Sequence, residues 1–112
     1  MAEKAVCSLT ESGRVEFKNL MLKIAAKPID IFLDFNAVIV NLKCLSKEEQ
    51  KECLDKIEEN VKIRRKYIEE NIKYKMDIPD ISESAKQVLK QQFILIEAIE
   101  KWIGSLKENF RD

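Results

Sequence analysis

The sequence predicts an all-α protein, a four-helix antiparallel bundle built on a long αα-hairpin over about residues 47–75 and 82–110. Three observations predict it. Charged residues make up 36% of the chain while glycine and proline number only 2 each, a composition of long solvated helices rather than of a turn-rich β protein. From Ser82 to Phe110 the apolar residues recur at heptad spacing. Leu89, Ile96, Ile103 and Phe110 fall at a, and Ala85, Gln92, Ile99 and Leu106 at d, a seam sustained over about four heptads. Finally, Ser46-Lys47-Glu48-Glu49 has the form of a capping box, in which the serine hydroxyl accepts from the Glu49 N–H and the Glu49 carboxylate from the Ser46 N–H, and it opens a second long periodic segment.

The totals bound the function. With 112 residues the chain is long enough for one core, and residues 10–112 read as one helical dimerisation domain after a short segment, 1–9, that reads as a remnant strand or a disordered tail. Basic and acidic residues balance at 20 each, whereas a free-standing nucleic-acid binder usually shows a basic excess. Apolar runs such as Ala37 to Val40 and Phe93 to Ile96 fall far short of the roughly 20 residues that span a bilayer, so no membrane association and a cytoplasmic location are expected. Cys7, Cys44 and Cys53 are odd in number and lack C-x-x-C spacing, as reduced thiols acting as small hydrophobes would be.

Along the chain, Ala5 to Leu9 has some β character but no partner strand nearby. Thr10 is a good N-cap, and Val15, Phe17, Leu20, Met21 and Ile24 repeat at helical spacing until Pro28 stops the helix. Residues 29–45 are ambiguous. Ile29, Ile31, Leu33 and Phe35 alternate with aspartates as in a strand, but Asp30, Asp34, Ala37 and Asn41 form a narrow polar line on an otherwise apolar helix, and a mostly buried helix is expected.

The third helix begins at Lys47 and runs to about Lys75, ~43 Å at 1.5 Å per residue. Inside it Ile57-Glu58-Glu59-Asn60-Val61-Lys62 and Ile68-Glu69-Glu70-Asn71-Ile72-Lys73 repeat at a period of eleven, which keeps Leu54, Ile57, Val61, Ile68 and Ile72 on one face. Arg64 and Arg65 interrupt that stripe with stems able to lie along apolar surface. Pro79 centres a tight connection, and Asp80 or Ser82 caps the last helix. Two long helices joined this closely must run antiparallel. Val88, Leu95 and Trp102 fill the g positions of the last helix, and Phe93-Ile94 fill e and f, so it is apolar nearly all round and calls for covering beyond its hairpin partner.

The order of these pieces resembles the C-terminal half of PadR-like transcriptional regulators. Leu9-Thr10-Glu11-Ser12-Gly13-Arg14 is similar to the L-T-E-x-G-R phrase at which the wing of a winged-helix domain gives way to the next helix. It is followed by an aromatic stretch (Phe32-Leu33-Asp34-Phe35), by Leu45-Ser46-Lys47-Glu48-Glu49 opening a charged helix, and by a last helix rich in Ile, Leu and Trp. The order of all four spans nearly the whole chain. The family's winged helix has no counterpart here beyond a last wing strand expected in Lys4 to Leu9, so DNA recognition is not carried over to these residues. The resemblance implies a homodimeric dimerisation and effector-response domain that sets the spacing of two DNA-reading heads supplied by a winged helix outside this chain. The alternative is a stand-alone helical adaptor or antagonist that forms mixed dimers with a regulator or another helical partner. The coding sequence upstream of Met1 separates the two.

Leu89, Phe93, Ile96, Ile99, Ile103, Leu106 and Phe110 are the dimer-interface candidates, with Gln92 at d as a register-setting polar contact. Two readings stand for Trp102: a large core or interface residue, or a platform for a planar aromatic effector at the dimer interface. Arg64-Arg65-Lys66 is the one basic cluster, read either as a phosphate contact or as a solvated face paired with Glu69-Glu70. Catalysis, metal and cofactors have no support. Histidine is missing, the paired acids sit with lysines on solvated faces, and neither a glycine-rich phosphate loop nor a metal-ligand spacing occurs, so an enzyme is not expected.

Overall fold

The computed structural model describes residues 10–110. Among them there are four α-helices and no strand: α1 (Glu11–Ala25), α2 (Asn36–Val40), α3 (Lys47–Met76) and α4 (Glu83–Asn109), with a 3-10 turn at Leu42–Cys44. The chain divides into two compact units, Met1–Leu33 and Asp34–Asp112. The wing strand expected at Lys4 to Leu9 lies outside the described residues.

In the first unit the helix start follows the sequence: the Thr10 hydroxyl accepts from the Gly13 N–H at 3.1 Å. Helix α1 ends at Ala25, three residues before Pro28, and buries none of its residues. In the second unit α3 and α4 pack against each other as an antiparallel hairpin. The Ser46 capping box is present, with Glu49 N–H to the Ser46 hydroxyl at 3.1 Å and Ser46 N–H to the Glu49 carboxylate at 2.9 Å. At the turn, Ser82 rather than Asp80 is the cap of α4, accepting from the Ala85 N–H at 3.1 Å. Asp80 instead takes the left-handed backbone conformation, φ 64°, that reverses the chain and that a short polar side chain tolerates.

The mostly buried helix expected over residues 29–45 does not form. Residues 28–33 carry no regular structure, and Ile29 and Phe32 are 89% and 81% exposed. A segment rich in β-branched residues and aspartate has little intrinsic helicity, and none of the described residues covers Ile29, Ile31 or Phe32 enough to override it. Helix starts only at Asn36, where Phe35, Val38, Ile39, Leu42 and Leu45 reach the hairpin and pack on its core of Leu54, Ile57, Val61, Ile96 and Ile103. The second unit is therefore a two-helix hairpin closed at one end by a short helix and a turn.

That closure is pinned by a residue the sequence reading passed over. The Gln50 amide nitrogen donates to the carbonyl oxygens of Leu42 at 2.9 Å and Leu45 at 3.1 Å, from a buried position on the first turns of α3. Two acceptors fix the amide's orientation, since the flipped form would set oxygen against both carbonyls. Leu42, 1% exposed, is thereby held over the hairpin end.

Candidate interaction surface

The heptad pattern on α4 resolves into an interior line and two unlike flanks. The a positions Leu89, Ile96 and Ile103 are buried against α3, with Ile103 wholly inaccessible. Ile99 and Leu106 are half-buried beside them. Helical spacing then sends the e positions, Phe93, Glu100 and Lys107, to one side of that line and the g positions, Val88, Leu95 and Trp102, to the other.

The e flank is a charged zipper across the hairpin. Lys107 Nζ lies 2.6 Å from Asp55 and 2.9 Å from Glu58 on α3. Arg65 bonds Glu69 at 2.9 Å within α3, reaches Glu97 of α4 at 3.8 Å, and bonds Glu100 directly, while its guanidinium lies 5.5 Å from the centre of the Phe93 ring. These pairs shift the titrations as their geometry requires. The hydrogen bond from Lys107 lowers the Asp55 carboxyl, and those to Asp55 and then Glu58 raise Lys107. Bonds to Glu100 and then Glu69 raise Arg65. Two members of the basic cluster are engaged, Arg65 by carboxylates and Arg64 over the Tyr67 ring at 5.4 Å, while Lys66 is exposed. Of the Glu69-Glu70 pairing expected for that cluster, the Arg65–Glu69 bond is present.

The g flank carries no such pairs. Val88, Leu95 and Trp102 are exposed, Leu95 at 51%, and with Ala98 they make a continuous apolar stripe of i, i+7 repeats along α4. Gln92, on the same side, is exposed. Trp102 is in part covered. Its ring stacks on Phe35 with centroids 5.8 Å apart and planes 19° apart, so one aromatic face is already occupied by the chain itself.

Of the interface candidates named from sequence, Leu89, Ile96 and Ile103 are thus consumed by the hairpin interior. Phe93 sits half-buried under Arg65 on the charged flank, Ile99 and Leu106 border the core, and Phe110 stands at the exposed end of α4. The residues that line the open flank are Val88 and Leu95, whose g spacing was the available signal. Cys53 packs against the core and Cys44 is exposed, both as free thiols, while Cys7 lies outside the described residues. Among the described residues no group of three potential metal ligands comes together, and no helix is long and apolar enough to cross a membrane. Compared with protein-family models, with curated proteins and with solved structures, the chain matches none.

Proposed function

We propose that this chain is the dimerisation and effector-response domain of a transcriptional regulator of the PadR-like kind, pairing two copies without itself reading DNA sequence. The observation that carries the pairing is the asymmetry of the hairpin: one flank satisfied by ion pairs, the other left as an exposed apolar stripe of Val88 and Leu95 that continues into the half-covered Trp102. A stripe of this kind on a two-fold axis is self-complementary, and two hairpins joined along it would make an antiparallel four-helix bundle from the two-helix hairpin of each copy. The size of the core argues the same way. Only seven apolar side chains are buried among the described residues, a small core for a chain of this length. The apolar face of α1, with Phe17, Leu20, Met21 and Ile24 all exposed, offers further surface for a partner.

The assignment to a PadR-like regulator rests on the order of the four sequence phrases. In that reading the paired hairpins fix the separation of two winged helices supplied from outside this chain, the domain works in the cytoplasm without catalysis or cofactor, and regulation acts by favouring one separation over another. A planar effector would meet Trp102 on the face that Phe35 leaves open. Light scattering on the purified chain tests the pairing, a dimer being the expected result. Titration of Trp102 emission with planar aromatic compounds tests the effector role, which an indifferent emission would remove.

A further inference from the structure

Helix α1 buries none of its residues, yet it is patterned for a partner. Its 15 residues are marginal as a helix in water without one, the more so with Gly13 in the first turn. With Phe17 at heptad position a, Ile24 is the next a, Gly13 and Leu20 fall at d, Arg14 and Met21 at e, and Glu16 and Lys23 at g. Phe17, Leu20 and Ile24 are 40%, 51% and 50% exposed. The two g charges find no partner on α1. Glu16 has Ser12, Gly13, Asn19 and Leu20 at helical distance, Lys23 has Asn19, Leu20, Ala26 and Lys27, and neither side chain makes an ion pair or hydrogen bond among the described residues. Seven positions apart, ~10 Å along the axis, they are out of each other's reach.

A second copy of the helix answers both charges in only one direction. In a parallel pair g sits beside e of the other helix, so Glu16 would meet Met21, Lys23 would meet Pro28, and the two glycines would face each other at d. In an antiparallel pair a packs on d and g sits beside g. With Phe17 on Leu20 of the second copy the two helices overlap along almost their full length. The same register puts Ile24 on Gly13, where the missing side chain gives it room, and Glu16 beside Lys23, twice by symmetry.

We propose that α1 pairs antiparallel with α1 of a second copy through Phe17, Leu20 and Ile24, with Glu16 of each copy against Lys23 of the other. So short a seam is weak alone and rests on the proposed pairing of the hairpins, which raises the effective concentration of one α1 at the other. Residues 26–35, between α1 and α2, reach up to ~33 Å when extended at about 3.3 Å each, so one pair of copies can make both contacts.

The test exchanges the two charges. Wild type and the double variant Glu16→Lys, Lys23→Glu carry the same net charge, and both positions are exposed, so helical circular dichroism is retained. One of the two full chains is isotope-labelled, they are mixed in equal amounts at tens of micromolar until exchange is complete, and native mass spectrometry counts the dimers. Each unmixed dimer keeps two opposite-charge contacts, whereas the mixed dimer sets wild-type Glu16 against a glutamate and wild-type Lys23 against a lysine. The mixed species is expected to fall from the statistical half to about a quarter of all dimers or less, as two exposed pairs turned from attraction to repulsion require. Charges on α1 that met any other surface of the second copy would weigh equally in mixed and unmixed dimers and leave the ratio statistical. Dimers that mix at the statistical ratio, or with the mixed species in excess, overturn the α1 pairing and leave that of the hairpins standing. A wild-type monomer overturns both.

Discussion

Trp102 on α4 lies stacked on Phe35, the residue that precedes α2, with ring centroids 5.8 Å apart. This contact ties the segment before α3 to the last helix, and it makes the lone tryptophan a reporter of that closure. Phe35→Ala is expected to shift Trp102 emission to the red and to lower the unfolding midpoint, since the aromatic pair is worth about 0.5–1.5 kcal/mol beyond the area it buries. An unchanged emission maximum would mean that the stack does not persist in solution.

Gln50 makes a sharper prediction about the same closure. Gln50→Leu keeps roughly the side-chain volume but removes the side-chain donor shared by the Leu42 and Leu45 carbonyls, leaving the Leu42 carbonyl only the Leu45 N–H. The expected loss is about 1–3 kcal/mol in a urea titration. Gln50→Glu should lose more, because it sets a carboxylate against two carbonyl oxygens. Amide exchange should show the loss first at Cys44 and Leu45, whose N–H groups bond the Asn41 and Leu42 carbonyls in the turn that Gln50 holds.

These two contacts also show where the sequence stops being informative. Local signals were legible: the Ser46 box, the Thr10 cap, the Pro28 stop and the tight turn at Pro79 each depend on residues within one turn of one another, and each is present. The buried helix over 29–45 was not, because whether Ile29 and Phe32 are covered depends on neighbours that no local pattern encodes. The heptad count on α4 likewise identified an apolar seam without saying whose side chains fill it. Only the register of Lys107 on Asp55 and Arg65 on Glu100 assigns the a positions to the hairpin and leaves the g positions outside.

The charged flank gives stability a defined pH window. Asp55 titrates below its unfolded value of about 3.9, so its contribution is present above that value and is lost as pH falls through the lowered folded one. Lys107 titrates above its unfolded value of about 10.4, so its contribution is present below that value and is lost as pH rises through the raised folded one. The unfolding midpoint should therefore be level between these limits and fall at both. Lys107→Met should lower the plateau slightly, as exposed pairs do, and flatten both edges. A variant with the wild-type pH profile would show that the pair carries no linkage.

Interior and flank positions on α4 should separate cleanly. Ile103 is wholly buried, and Ile103→Asp places an unpaired charge in the core at a cost of about 4 kcal/mol or more, enough to unfold the hairpin at any protein concentration. Leu95 is half exposed, and Leu95→Glu should act through pairing alone. Its unfolding midpoint should match wild type in dilute protein and fall behind as concentration rises, because only the wild type gains from mass action. Thermal scans across a dilution series distinguish this from a direct loss of stability.

The central claim is that the stripe of Val88, Leu95 and Trp102 joins two copies. Multi-angle light scattering on the full chain, in the range of tens of micromolar, measures this directly alongside Leu95→Glu. The wild type is expected to show the mass of a dimer and the variant that of a monomer. A wild-type monomer, or a dimer that Leu95→Glu leaves intact, would contradict it.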